Sequence, residues 1–128
     1  MKVLLDTHVF LWALFEPERL SKTAKRLLEN LQTEIFLSAA SAWEIATKHR
    51  LGKIPHVSYL VEHFEQAVYS LQAAELPVTR THVLKAGAWP VEHRDPFDRM
   101  LAAQASLEGL LLLTADPVFE AFSIEVVW

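Results

Sequence analysis

Apolar residues fall along this chain in short runs whose spacing switches between helix and strand periods. Residues 2–5 form a β-branched and leucine run ending at Asp6-Thr7, which predicts a buried strand followed by a helix N-cap. The apolar stretch 9–15 continues as a helix until Glu16-Pro17-Glu18 breaks it. Ser21 opens a second helix, with Ala24, Leu27, Leu28 and Leu31 at three-to-four spacing. Residues 34–38 form the next strand and run into a helix over 41–50 that stops at Gly52. An amphipathic stretch covers about 57–71, Leu76-Pro77-Val78 reads as a weak strand, and 81–89 as a short helix stopped by Pro90. Asp95-Pro96 places an acid at an N-cap and a proline at N1, which starts a helix running to Glu108 and ending at Gly109. Residues 110–114 form an all-apolar strand, Asp116-Pro117 begins a turn or short helix, and 124–127 is a last strand.

Strands that are apolar throughout, separated by helices, belong to a sheet buried on both faces by right-handed crossovers. The expected class is therefore α/β, with three α/β/α layers around a central, mostly parallel sheet. No internal repeat, low-complexity tract or linker divides the chain, so one domain over residues 1–128 is expected. Open sheets of this kind bind ligands at the carboxyl ends of their strands.

The composition, 52% hydrophobic and 22% charged, excludes disorder and fibrous repeats. No apolar run approaches the ~18 residues that span a bilayer, and Asp6 comes too early for a signal peptide, so a cytoplasmic protein with no membrane partner is expected. With no cysteine, the chain has no disulfide, thiolate zinc site or cysteine nucleophile. A net charge of −4 argues against a broad basic surface for nucleic acid.

Where the acids lie changes the meaning of that charge. The only four aspartates, Asp6, Asp95, Asp98 and Asp116, all follow a strand or open a helix, and Glu44 lies early in the helix after the second strand. If the strands are parallel neighbours, Asp6, Glu44, Asp98 and Asp116 converge from four segments, and they equal in number the whole formal excess of negative charge. Such carboxylates repel one another unless a cation sits among them. An oxygen-only cluster suits Mg²⁺ or Mn²⁺, ions that neutralise phosphoryl charge and acidify water, so phosphodiester hydrolysis is the chemistry implied.

Each acid also has a structural reading. Asp95 is explained as an N-cap, Asp98 as an N3 acid on the helix dipole, Glu44 as the far end of a capping box from Ser41, and Asp116 as a turn initiator. Asp6 has the weakest such alternative, because an acid ending a buried strand needs a partner. Of the six histidines, including His8 and His56, most read as surface or satisfied core residues; His93, in the loop before Asp95, is expected to order that loop or contact substrate. Trp12, Trp43, Trp89 and Trp128 read as core rather than base-stacking platforms. Lys48, Arg50, Lys53, Arg94 and Arg99 are candidate phosphate contacts at the rim, with solvated helix faces as the alternative. There is no nucleophile elbow, and with only Gly52, Gly87 and Gly109 no glycine-rich phosphate loop.

At these residues the chain resembles PIN-domain ribonucleases, and more narrowly the VapC-type toxins of toxin–antitoxin pairs. The matching stretches are LDTHVFLW at 5–12, SAWEIA at 41–46 with Ser38 and Lys48, LGK at 51–53, HRDPFDRMLAAQA at 93–105, and LLTAD at 112–116 followed by Phe119. The resemblance implies a metal-dependent endoribonuclease built on a five-stranded sheet. It implies that Asp6, Glu44, Asp98 and Asp116 bind Mg²⁺ or Mn²⁺, that Thr7 and Thr114 are accessory hydroxyls, and that Asp95 is a loop acid. It further implies a structured RNA substrate such as tRNA, a homodimer, and a small cognate antitoxin as partner.

Two other readings compete. A haloacid-dehalogenase-like phosphatase shares the opening Asp6-Thr7-His8-Val9 but requires a second aspartate where His8 stands. A catalytically silent RNA- or protein-binding module on the same fold is the non-enzymatic alternative, and the intact acid set argues against it.

Overall fold

The computed structural model describes residues 1–54 and 57–128; Pro55 and His56 lie outside the described residues, and with them the expectation for His56. The chain begins with β1 (Lys2–Leu5), α1 (Thr7–Phe15), a 3₁₀ turn (Pro17–Arg19), α2 (Lys22–Glu29), β2 (Glu34–Ser38) and α3 (Ala39–Arg50). It continues through α4 (Ser58–Glu62), α5 (Phe64–Ser70), β3 (Ala73–Leu76), α6 (Arg80–Ala88) and α7 (Pro96–Glu108). It ends with β4 (Leu111–Leu113), a 3₁₀ segment (Pro117–Phe122) and β5 (Val126–Val127).

The five strands form one sheet in the order β3-β2-β1-β4-β5, every pair parallel. Alternate residues of the inner strands feed two cores. Val3, Leu5, Ile35, Leu37 and Leu113 pack with α1 and the helices up to α5, while Leu4 and Leu112 pack with Leu101, Ala102, Ala105, Phe119 and Phe122. Burial on both faces is why these strands carry no polar alternation, and it produces the three α/β/α layers expected. The chain first winds from β1 outward to β3, then crosses back to lay β4 on the other side of β1. The strand order thus reverses between β1 and β4, and the carboxyl ends of that pair form the crevice where an open α/β sheet receives ligands.

Local signals explain most boundaries. Ser21 Oγ accepts the Ala24 amide to cap α2, and Asp95 Oδ1 accepts the Phe97 and Asp98 amides to cap α7. Gly109 closes α7 with φ 64°, a left-handed conformation that glycine adopts without strain.

Four expectations shift. Leu31 is not the fourth apolar position of α2; the helix ends at Glu29, the Asn30 side chain turns the chain by accepting the Gln32 amide, and Leu31 is 83% exposed. The helix expected from Ser41 starts two residues earlier, capped by the Ser38 hydroxyl, which accepts the Ala40 amide. The amphipathic stretch is two helices separated at His63 rather than one. The third strand precedes the segment expected: Ala73–Leu76 pairs with Ile35–Ser38, and the ladder stops before Pro77, which has no N–H to donate.

Candidate active site

Asp6 ends β1 and is buried, 4% exposed. It occupies the N-cap position of α1 without capping it through its side chain. Instead its Oδ2 accepts a 2.7 Å hydrogen bond from the Thr114 hydroxyl, which follows β4 and in turn accepts the Asp116 amide at 3.0 Å. Burial pushes the Asp6 carboxyl above its ordinary range; the Thr114 bond and His8 pull it down, and the charge of Glu44 pushes it up.

Glu44 projects from α3 and is also buried, at 3% exposed. Its Oε2 pairs with the Lys48 ammonium one turn on. The capping-box reading fails, because Ser41 lies inside α3 and shares a 2.9 Å hydrogen bond with the Thr7 hydroxyl, joining the start of α1 to α3. Burial draws the Lys48 ammonium down, but the Glu44 pair and the charges of Asp95 and Asp98 outweigh it, so its pKa is raised overall.

Asp98 stands in the first turn of α7, where His93 Nε2 donates to its Oδ2 at 2.8 Å. Burial pushes its carboxyl up to about 6; the His93 bond opposes this, while the charges of Asp95, Asp6 and Glu44 add to it. Asp6, Glu44 and Asp98 thus come from three elements, with the charge of Glu44 acting on both Asp6 and Asp98, and that of Asp6 acting on Asp98. Asp116 stands outside this trio. It is exposed, its Oδ1 accepts the Val118 amide at 3.0 Å, and it reaches the group only through a cleft it lines with Asp6. Of the four acids expected to converge, Asp6 and Glu44 are buried, Asp98 is half-buried, and Asp116 is exposed at the cleft it lines with Asp6.

The trio's donors are hard carboxylate oxygens, two of them raised by burial and mutual repulsion, and that chemistry suits a small divalent cation. Among the described residues no three acidic or imidazole side chains are already gathered into a metal cage. Lys48 supplies a positive charge to Glu44.

The cationic residues expected at the rim divide. Lys53 and Arg94 are exposed, whereas Lys48 is committed to Glu44. Arg99 is engaged within the chain: its guanidinium donates to the carbonyls of Ala86, Trp89, Val91 and His93 at 2.6–2.8 Å, stapling the loop that carries His93 onto α7. The sequence carries no signal for this, since any residue offers a carbonyl. Trp43 departs from the core reading, being 59% exposed and packed edge-on against Phe97 with ring centroids 4.6 Å apart. The Glu44–Lys48 pair was overlooked although its i,i+4 spacing was legible.

A family model described as the PIN domain matches residues 3–125. The chain belongs to the PIN-domain family. Within it, the chain is similar to Ribonuclease VapC22 of Mycobacterium tuberculosis, 30% identical over 116 residues that cover 89% of this chain and 86% of that protein. Among solved structures, VapBC2 of Rickettsia felis, bound to a DNA fragment from its promoter, matches with a TM-score of 0.72 at 15% identity over 99% of this chain and 98% of the other. FitAcB of Neisseria gonorrhoeae matches with a TM-score of 0.67 at 23% identity, covering 98% and 96%. At those identities the structural likeness speaks to the fold, and here Asp6 lies at the β1–β4 crevice of that fold. No described helix is long and apolar enough to cross a membrane.

Proposed function

We propose that this PIN domain is a divalent-cation-dependent endoribonuclease, the toxin of a toxin–antitoxin pair, that hydrolyses phosphodiesters of a structured RNA such as tRNA. The observation that carries the reading is the set Asp6, Glu44 and Asp98, acids held half-buried or deeper, of which Asp6 and Asp98 are pushed up by burial and by neighbouring negative charge, in a chain whose similar proteins include a ribonuclease. A structural role would have been met by neutral side chains, at lower desolvation cost.

In this reading Asp6, Glu44 and Asp98 hold Mg²⁺ or Mn²⁺, with Asp116 completing the set from the cleft. Such an ion, when bound, supplies positive charge against that developing on the phosphoryl oxygens and acidifies water at neutral pH. The chain's own residues fix the acids. Thr114 orients Asp6, the Thr7–Ser41 bond locks the approach of α1 to α3, and His93 orients Asp98. Lys48 holds Glu44 and keeps an ammonium beside the acids. Asp95 caps the helix that presents Asp98. A small antitoxin partner belongs to the same reading, by analogy with the VapBC and FitAcB structures that share the fold, and a homodimer is proposed from the family resemblance of the sequence alone.

The test is incubation of the purified chain and its Asp98→Asn variant with total cellular RNA, in Mg²⁺ or chelator, followed by sequencing of new 5′ ends. Discrete cuts that require both the metal and Asp98 are expected. Cuts that persist in Asp98→Asn or in chelator would overturn the assignment of the acids.

A further inference from the structure

A cleft of about 440 Å³ opens beside Asp6, a size within the range of ligand pockets, and no residue of α7 is among its lining. Its two walls differ in chemistry. Asp6 and Asp116 form one; His8, Trp12 and Arg19, from α1 and the turn after it, form the other. Because Asp6 belongs both to the acid trio and to this cleft, whatever fills the cleft lies directly against the acids.

The second wall is built for an anion attached to a flat ring. The Arg19 guanidinium carbon lies 4.5 Å from the centroid of the Trp12 ring, which holds this long side chain in place. Its carboxylate neighbour, Glu16, is 3.6 Å away with both side chains about half exposed, a pair weak enough for a phosphate to displace. The Trp12 ring is flanked by the rings of His8 at 6.0 Å and Trp128 at 5.8 Å, so aromatic surface continues along this wall. His8 itself is exposed. An aromatic wall with a guanidinium at its end is the pairing that holds unpaired nucleotides, by stacking the base and neutralising the phosphate. Asp6 and Asp116 in the same lining repel a bare phosphate, which gives the occupant a direction: phosphate toward Arg19, away from the acids.

We infer that this cleft is the binding site for the unpaired RNA nucleotide next to the cleaved phosphodiester, with Arg19 taking its phosphate and the His8–Trp12 wall its base. The inference rests on the ribonuclease reading and adds to it which side of the acids the strand occupies and that the strand is single there.

The experiment measures binding apart from cleavage. The full chain carrying Asp98→Asn is titrated into fluorescently labelled single-stranded RNA of random sequence, and anisotropy is followed across a range of salt concentrations. Adding Arg19→Ala weakens binding about tenfold and lowers the salt slope by about one, as loss of one phosphate contact requires. Arg19→Lys recovers part of the affinity, and His8→Ala weakens it about threefold. The control is Arg80→Ala, which removes the same charge from the first turn of α6 on the opposite face of the sheet. If Arg19→Ala and Arg80→Ala behave alike in this background while the chain with Asp98 intact still cuts RNA, the inference is overturned and the ribonuclease reading stands. If Arg19→Ala leaves RNA binding intact but weakens a protein partner, the cleft is a protein interface and the inference is likewise overturned. A chain that neither binds nor cuts RNA would overturn both.

Discussion

Thr114 donates a 2.7 Å hydrogen bond to Asp6 across 108 positions of sequence, tying the end of β4 to the end of β1. These are the two strands between which the sheet reverses its winding, so the bond spans the crevice itself. Both partners are buried, at 4% exposed each. One hydroxyl therefore does two things: it gives the buried acid a side-chain donor, and it fixes that acid's rotamer at the mouth of the site.

Thr114→Val keeps the shape of the side chain and removes the donor. Folding stability is expected to fall by about 1–2 kcal/mol, the cost of leaving a buried acceptor unpaired, and RNA cleavage by roughly 10–100-fold, as when a group that orients a metal ligand is lost. Thr114→Ser retains both. Urea unfolding and cleavage rates on the same RNA decide this, and equal rates for Val and wild type would show that Asp6 needs no orienting partner.

The raised carboxyl of Asp98 sets a pH dependence in the metal-free protein. With a folded value of about 6 against an ordinary 3.8, the folded chain holds this proton more tightly than the unfolded one. Its stabilising contribution is full below about pH 4 and is lost as pH rises through about 6, an effect on the order of 2–3 kcal/mol. Asp98→Asn has no proton to lose. In chelator, the variant should therefore gain on the wild type between pH 4.5 and 7.5, measured by urea unfolding at each pH. Parallel stabilities across that range would mean that Asp98 is not destabilised by its surroundings.

Much of this architecture was legible because its signals are local. Asp95-Pro96, Gly109 and the Ser21 cap each act within one turn, and Asp6 stood out as an acid ending an apolar strand. The misses are of another kind. Leu31 satisfies the helical period of α2, yet the Asn30 turn ends the helix before it. Ala73 and Ala74 have little strand preference and pair because β2 presents an open edge to them. Ser41 was matched to Glu44 by spacing, when its real partner is Thr7, 34 positions away. Asp116, equivalent to the other acids in sequence, is distinguished from them only by exposure, which depends on where the 3₁₀ segment settles.

Arg99 tests the same lesson from the stability side. Four backbone carbonyls, those of Ala86, Trp89, Val91 and His93, depend on one planar guanidinium. Arg99→Met is expected to cost about 3 kcal/mol or more, and Arg99→Lys to rescue little, because a single ammonium cannot reach acceptors arranged for a fork. Hydrogen exchange over residues 89–93 should accelerate in both variants. If Lys restored wild-type stability, the staple would be a matter of charge rather than of geometry.

Lys48 separates an internal cation from an external one. Its ammonium pairs with the buried Glu44 and sits within the charge of Asp95 and Asp98, so in the metal-free chain it offsets part of the acids' repulsion. Lys48→Met leaves Glu44 buried without its partner and is expected to destabilise the chain in chelator by about 2–4 kcal/mol. A divalent cation among the same acids would supply the missing charge, so Mg²⁺ should raise the melting temperature of Lys48→Met by more than it raises that of the wild type. A Glu44→Gln, Lys48→Met double variant should recover stability in chelator and respond less to Mg²⁺, since the acid that needed the charge is gone. If Mg²⁺ shifts all three proteins equally, Glu44 takes no part in holding the ion, and the role would pass to Asp6 and Asp98 alone.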